Sequence, residues 1–281
     1  MKISIGNICF EMDDTLARAQ QPHVHSFSTD ASHDSLRVRC TLKDSAPAYG
    51  DCLYHSGLTW RLHTANNDFV LCMVRGSQQD VYQTLYLSEN FTNATLYSAQ
   101  ADAHNVMPYL SLDGAVFQLW ANFLFLRHRR IVLHALGVKR PEGTHLFLGK
   151  SGAGKTTLSH LVNNSQVGTI LSDDRIVVQP VDNSFRAFGT PWNGDLKFYS
   201  ADDAPIQAIY FLAQTPSCEL VSLCPAEAAA QLFACSFIAG WPMRDAVNYV
   251  LETTATLARS VPCYRLGFTP NRQVLETLRW V

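Results

Sequence analysis

Runs of hydrophobic residues divide the chain into two parts of different character. In the first part the runs have the length of strands, and turns rich in Asn and Asp separate several of them. The predicted strands span 35–41, 57–63, 69–74, 81–87 and 94–97. Polar and apolar residues alternate in the first two runs, which predicts an antiparallel sheet with one solvated face. We find no catalytic motif in this part.

A helix and an alternating series of strands and helices follow. A broad apolar face at helical spacing predicts the helix over 113–130. From residue 131 onward the predicted strands are 131–138, 145–148, 167–171, 176–179, 184–188, 207–212 and 263–266, and the predicted helices are 157–162, 225–237, 245–259 and 270–280. Thr269 is expected to cap the last helix, with Pro270 at its first position. We therefore predict an α/β fold, with a β-rich N-terminal region over 1–112 and an α/β domain over 113–281.

A glycine-rich segment between the predicted strand 145–148 and helix 157–162 fits G-x-x-x-x-G-K-[ST], the Walker A motif of P-loops. Its residues are Gly149, Lys150, Ser151, Gly152, Ala153, Gly154, Lys155 and Thr156, and Thr157 follows them. The glycines let the backbone turn tightly and point N–H groups at a triphosphate. Lys155 is expected to reach the β- and γ-phosphates, and the Thr156 hydroxyl to bind Mg²⁺. The alternative is a glycine-rich turn that happens to carry a lysine, but the flanking strand and helix favour a nucleotide site.

Asp173 and Asp174 come directly after the apolar strand 167–171, where a second acidic motif is expected beside the phosphates. One carboxylate would hold Mg²⁺, directly or through water, and the other would accept a proton from an attacking hydroxyl. His134 lies in the strand before the P-loop strand, which places its imidazole near the γ-phosphate or Asp174. A histidine in an apolar strand is more often a core residue. Arg244, in a predicted loop, is either a phosphate contact or a solvated arginine.

Three motifs resemble the ATP-binding core of the HPr kinase/phosphorylase family in order and spacing. They are Leu133-His134-Ala135, Gly149-Lys-Ser-Gly-Ala-Gly-Lys155 and Leu171-Ser-Asp-Asp174. The resemblance implies a P-loop kinase of the phosphoenolpyruvate-carboxykinase-like fold that uses ATP and Mg²⁺ to phosphorylate a serine hydroxyl. It implies that Asp173 is the base, that Asp174 is a metal ligand or a partner of His134, and that His134 orients the reacting groups. A homo-oligomer is also in keeping with the family.

The segment 189–195 resembles a stretch of HPr-kinase-like relatives from peptide-maturation clusters, although locally it is typical of a turn. Thr156-Thr157 stands where HPr kinases typically have Ser-Glu, and we find no Arg-Gly-Leu-Gly signature after the aspartates. The predicted acceptor is therefore a serine or threonine hydroxyl of a small protein or a ribosomally made peptide, rather than HPr. Two alternatives remain open: an ATP-binding regulatory module without kinase activity, and a plain P-loop ATPase.

Composition narrows the classes of partner. The chain has 281 residues, of which 47% are hydrophobic and 16% charged, so it can bury a sizeable core. A net charge of −2 gives no general basic field for nucleic acid or for anionic membranes.

The eight cysteines form no C-x-x-C pair, which favours free thiols in a reducing compartment. The N-terminus does not have the pattern of a signal peptide, and no apolar segment is long enough to span a bilayer. We therefore predict a cytoplasmic protein.

Overall fold

The computed structural model describes residues 1–30, 36–43, 45–57, 59–77, 80–98, 111–112, 114–238 and 245–281. Within these ranges the chain forms two compact units, Met1–Arg127 and His128–Val281. Each unit contains a large sheet, so the protein is of mixed α/β class with a β-rich N-terminal region. The helix that the sequence predicts over 113–130 spans Ala115–Arg127 and lies in the first unit, whereas the predicted division at 112 and 113 assigned it to the second.

An eight-stranded sheet forms the first unit. Its strands are β1 (Lys2–Ile5), β2 (Ile8–Met12), β3 (Leu36–Lys43), β4 (Cys52–His55), β5 (Trp60–Ala65), β6 (Asp68–Arg75), β7 (Asp80–Leu87) and β8 (Asn93–Ser98). Their spatial order is β1-β2-β3-β8-β7-β6-β5-β4. The helix α1 (Asp14–Arg18) and a 3₁₀-helix (Pro22–Phe27) lie between β2 and β3, and α2 (Ala115–Arg127) follows the sheet.

The prediction of a purely antiparallel sheet is wrong at β3. This strand runs parallel to both of its neighbours, β2 and β8, while the other neighbouring pairs in the sheet are antiparallel. The helical connection between β2 and β3 carries the chain back to the end from which β2 started, so β3 repeats its direction. Local alternation of side chains does not encode that connection.

Strands β1, β2 and β4 were not predicted from the sequence. β1 and β2 form a hairpin whose two turn residues, Gly6 and Asn7, have φ angles of 56° and 59°. Such a pair of left-handed residues is the signature of a tight hairpin turn, so the Gly-Asn dipeptide was the signal that could have located both strands. In the core of the same unit, the Trp120 indole of α2 donates to the Phe91 carbonyl at 2.8 Å.

The second unit contains seven strands in one hydrogen-bonded path and one strand beside it. They are β9 (Ile131–Arg140), β10 (Gly143–Leu148), β11 (Thr169–Ser172), β12 (Arg175–Val181), β13 (Ser184–Phe188), β14 (Asp203–Gln214), β15 (Glu219–Ser222) and β16 (Cys263–Phe268). The path is β10-β9-β12-β13-β14-β16-β15, and β11 pairs with β9. Because β10 also pairs with β14, the hydrogen bonds close into a circuit.

The helices of this unit are α3 (Lys155–Ser165), α4 (Pro225–Ala234), α5 (Ala246–Ser260) and α6 (Gln273–Thr277). The last one is shorter than predicted and does not begin at Pro270. The Asn271 side chain accepts from the Gln273 amide at 2.9 Å and sets the start of the helix after it. Across the part of the chain that the structure describes, no helix is both long and apolar enough to cross a membrane.

Strand directions in the second unit bring the predicted site residues to one edge. β10, β14 and β16 are mutually parallel, so their carboxyl ends lie together, and the glycine-rich segment leaves β10 at that edge. On the other side of β10, the first half of β9 pairs with the start of β12, and His134 lies opposite Arg175. The Ala135 amide donates to the Asp174 carbonyl at 3.0 Å, which fixes the acidic pair beside β9.

Candidate nucleotide site

The glycine-rich segment connects the carboxyl end of β10 to α3. Gly152 and Gly154 have φ angles of 80° and 109°, which glycine adopts without the strain of a side chain. A Cβ added to Gly154 would lie 2.5 Å from Cζ of Phe268, so this glycine also permits close packing against β16. Local backbone conformation and tertiary packing therefore both require glycine at position 154.

The N-terminus of α3 has no side-chain cap, because the residue at the N-cap position is Gly154. The amides of its first turn and the positive end of the helix dipole make this terminus suited to an anion. The Lys155 ammonium donates to the Gly149 carbonyl at 2.7 Å and thereby spans the loop. Burial lowers the pKa of Lys155, while the Asp174 charge acts to raise it. The Lys155 ammonium thus lies buried beside an uncapped helix N-terminus.

Two neighbouring side chains hold the Asp174 carboxylate. The imidazole Nε2 of His134 lies 3.1 Å from Oδ1, and the Nε of Arg175 lies 3.4 Å from Oδ2. Burial raises the pKa of Asp174, but the His134 hydrogen bond and the charges of Arg175, His134 and Lys155 outweigh it, so the pKa is lowered. Asp174 is therefore a carboxylate at neutral pH, and His134 lies at one of the two positions expected for it.

Asp173 has a different environment. Its Oδ1 accepts from the Gly194 amide at 2.7 Å, and its Oδ2 accepts from the Leu196 amide at 3.2 Å. Burial raises the pKa of Asp173, the two amides act to lower it, and the charge of Asp174 raises it further; the net shift is upward. The two adjacent aspartates therefore have opposite pKa shifts.

These groups surround a polar cavity of about 450 Å³. Its lining residues are His134, Ser151, Gly152, Gly154, Lys155, Thr156, Thr157, Asp173, Asp174, Gly194 and Asp195. A second, mostly apolar cavity of about 650 Å³ adjoins it, and its lining includes Gly149, Lys150 and Ala153. Every site residue that the sequence predicts thus lines one of these cavities, and His134, Ser151 and Gly152 line both.

Several residues at the cavities were not assigned to the site from the sequence. Gly194 binds Asp173 through its amide, and the Gln214 side chain donates to the Gly152 carbonyl at 2.8 Å. The carbonyl of Cys235 accepts from the His134 amide at 2.8 Å. The resemblance over 189–195 was the signal for Gly194, whereas no local pattern marks Gln214 or Cys235. Arg244 lies outside the described residues.

Oxygen ligands for a magnesium ion are available at the polar cavity. Mg²⁺ at nucleotide sites takes one or two protein ligands together with phosphate oxygens and water. The Thr156 hydroxyl and the Asp174 carboxylate line the same cavity and are ligands of this type. Among the described residues, no cluster of three or more His, Cys, Asp or Glu side chains forms an independent metal site. The residues present therefore fit a metal held jointly with a nucleotide.

The comparisons with known proteins find similarity among solved structures. No protein-family profile matches the chain, and no curated protein matches it in sequence. Among solved structures, the chain is similar to the Hpr(Ser) kinase/phosphatase from Coxiella burnetii, with a TM-score of 0.31 and 11% sequence identity. The match covers 53% of this chain and 93% of that chain. A likeness at this TM-score and identity says nothing about activity or substrate.

Proposed function

We propose that the second unit is a P-loop kinase of the phosphoenolpyruvate-carboxykinase-like type that uses ATP and Mg²⁺. It transfers the γ-phosphoryl group to a serine or threonine hydroxyl of a small protein or a ribosomally made peptide. The observation that carries this proposal is the convergence of Lys155, Asp173, Asp174 and His134 on one polar cavity at an uncapped helix N-terminus. Phosphoryl transfer needs positive groups that neutralise the phosphate charge, and it needs carboxylates that bind the metal and accept the proton of the attacking hydroxyl.

Each side chain has a distinct role in the proposed reaction. Lys155 and the loop amides hold the phosphate oxygens and stabilise the charge of the transition state. Asp173 accepts the proton of the attacking hydroxyl. The hydroxyl oxygen forms a bond to the γ-phosphorus, the bond from that phosphorus to the β,γ-bridging oxygen breaks, and ADP leaves with the electron pair. The raised pKa of Asp173 makes it a better proton acceptor than an exposed aspartate.

Asp174 and Thr156 are the proposed metal ligands. A Mg²⁺ ion held by these two residues would supply charge neutralisation to the phosphate oxygens. The His134 imidazole, 3.1 Å from Oδ1 of Asp174, orients that carboxylate, and the Arg175 guanidinium places a positive charge beside Oδ2. The same contacts keep the carboxylate ionised, which is the form that coordinates a cation.

One observation favours a second candidate, an ATP-binding regulatory module without transfer. Both oxygens of Asp173 already accept backbone amides from the segment around Gly194 and Leu196. In that case Asp173 would serve to couple the loop position to nucleotide binding instead of accepting a proton. Each carboxylate oxygen has two lone pairs. Asp173 can therefore accept a backbone amide at each oxygen and still have a lone pair left to accept a proton.

The test measures transfer and binding separately. The purified chain is incubated with γ-³²P-labelled ATP, Mg²⁺ and an immobilised library of serine- and threonine-containing peptides. We expect label on the peptides with the natural chain and none with Lys155→Ala. For Asp173→Asn we expect ATP affinity by calorimetry within about threefold of the natural chain and transfer reduced about 10²- to 10⁴-fold, the usual loss on removing a general base.

Asp182→Asn is the control, because Asp182 is an exposed turn residue between β12 and β13. It should leave both transfer and ATP affinity unchanged. Full transfer by the Asp173→Asn variant would refute the assignment of the base. Tight ATP binding without transfer or hydrolysis favours the regulatory module, and release of phosphate without a labelled acceptor favours an ATPase.

A further inference from the structure

The segment 189–202, between β13 and β14, contributes to the wall of the polar cavity and is held at both ends by hydrogen bonds. Near its start, the Thr190 hydroxyl donates to the Arg175 carbonyl at 2.7 Å. Near its end, the Ser200 amide donates to the Leu171 carbonyl at 2.9 Å. Because these bonds tie the segment to β11 and to the start of β12, the residues in its middle have a defined position at the cavity.

Asp195 lies in a turn in the middle of this segment. The Lys197 amide donates to the Gly194 carbonyl at 3.3 Å and closes the turn. Gly194 lies directly against the acidic pair, because a Cβ added to it would be 3.1 Å from Oδ2 of Asp173. Asp195 is the next residue in the chain, and it lines the same polar cavity as Asp173. A third carboxylate is therefore placed beside the proposed base.

Asp195 differs from the other two carboxylates of the cavity because its side chain has no partner. Asp173 accepts two backbone amides, and Asp174 lies beside His134 and Arg175. Asp195 is exposed, and within the part of the chain that the structure describes its carboxylate makes no hydrogen bond or ion pair. Aspartates in turns often accept from nearby backbone amides, which this one does not do. Its charge is therefore available to a group that enters the cavity.

We infer that Asp195 selects the acceptor and favours a serine or threonine hydroxyl that has a lysine or arginine close to it in the peptide. The inference rests on the proposed function, because it takes the acceptor hydroxyl to lie at Asp173. Consecutive Cα atoms are about 3.8 Å apart, so the residues that flank a hydroxyl held there come within reach of Asp195. A carboxylate without a partner attracts an ammonium or guanidinium group and repels another carboxylate. In this role Asp195 determines specificity and takes no part in the chemical step.

The charges of the other cavity groups favour the same kind of acceptor. Among the described residues that line the polar cavity, Lys155 supplies the ammonium, and it already donates to the Gly149 carbonyl. The proposed function assigns Lys155 to the phosphate oxygens, so it is not available to an acidic peptide. ATP with one Mg²⁺ retains a net negative charge. An acceptor that approaches the loaded site therefore meets a negative field, which favours basic peptides.

The test uses synthetic peptides that differ only beside a single serine, with lysine, glutamine or glutamate at the flanking positions of a glycine and alanine frame. Fluorescence anisotropy measures peptide affinity in the presence of Mg²⁺ and a non-hydrolysable ATP analogue. Labelled ATP gives kcat and KM for transfer. The variants are Asp195→Asn and Asp195→Lys. Asp182→Lys is the matched control, because it makes the same change of charge at an exposed turn that does not line the cavity. Circular dichroism establishes that each variant is folded.

We expect the natural chain to prefer lysine-flanked over glutamate-flanked peptides by about three- to tenfold, the scale of an exposed charge pair against a like-charge pair. The preference should lie in peptide affinity and KM rather than in kcat, and it should decrease as the salt concentration rises. Asp195→Asn should remove the preference, and Asp195→Lys should invert it. Asp182→Lys should retain it, and none of the variants should change the KM for ATP.

A lysine preference that persists in Asp195→Asn would overturn the inference. An equal loss of transfer to all peptides in that variant would also overturn it, because the residue would then act in the chemical step. If lysine-flanked peptides bind preferentially and none is phosphorylated, the proposed kinase activity fails while the selection by Asp195 stands. If transfer occurs without a charge preference, the selection fails while the proposed function stands. If no peptide binds, the inference fails.

Discussion

Replacing Gly154 by alanine tests the packing of the P-loop against β16. The residue has a φ angle of 109°, and the new Cβ would lie 2.5 Å from Cζ and 2.8 Å from Cε1 of Phe268. Phe268 is buried in the core that α3 also contacts, so its ring has little room to move away. The substitution therefore imposes both backbone strain and a steric clash.

The two contributions can be estimated separately. A left-handed conformation costs a non-glycine residue about 1–2 kcal/mol. Overpacking in a core adds about 1–3 kcal/mol. Gly154→Ala should therefore lower the free energy of unfolding of the second unit by about 2–5 kcal/mol. Gly152→Ala is the matched control, because its φ is 80° and an added Cβ meets nothing within 4 Å, so that only the backbone contribution remains.

Urea-dependent hydrogen exchange, read by mass spectrometry on peptides from β10 and β16, reports the stability of this unit specifically. The larger loss is expected for Gly154→Ala. In a Phe268→Leu background the excess over Gly152→Ala should shrink, because the ring that clashes is gone. Equal losses for the two glycine variants, or an excess that persists without the ring, would refute the steric argument.

Two further predictions concern other parts of the chain. Burial raises the pKa of Asp174, but His134, Arg175 and Lys155 bring it below its ordinary value, so its ionisation stabilises the fold above the unfolded pKa of about 3.9. Asp174→Asn should lower the free energy of unfolding at pH 7, and the difference should decrease as the pH falls through the lowered pKa; a difference independent of pH in urea titrations would contradict this. Trp120→Phe leaves the buried Phe91 carbonyl without its indole donor, which should cost about 1–3 kcal/mol. Unchanged exchange protection of β8 peptides in that variant would show that the hydrogen bond contributes nothing.

The strand, glycine-rich loop and helix over 143–165 could be predicted because their signals are local. The apolar run before Gly149 forms β10, and the helix after the loop begins at Lys155, two residues before its predicted start at Thr157. Gly152 and Gly154 take the left-handed angles of the loop, and periodicity indicates which residues of the helix are buried. The last helix was misplaced because the Asn271 side chain, rather than Thr269, sets its start.

The partners of the acidic pair could not be predicted from spacing. Asp173 binds amides around Gly194, and Asp174 binds His134, which lies far from it along the chain. The opposite pKa shifts of these adjacent residues depend on those partners and on burial, neither of which the Asp-Asp dipeptide contains. The direction of β3 was missed for the same reason, since it depends on a connection rather than on its own residues.

The sequence by itself determined the glycine-rich segment between a strand and a helix, the acidic pair after a buried strand and the histidine in a strand before that segment. These follow from residue type and short-range spacing, which act on the backbone within a few residues. Only the tertiary structure decided that β10 lies between β9 and β14, and that His134, Lys155, Asp173 and Asp174 line one polar cavity. Strand order is set by contacts between residues distant in the chain, which no local pattern specifies.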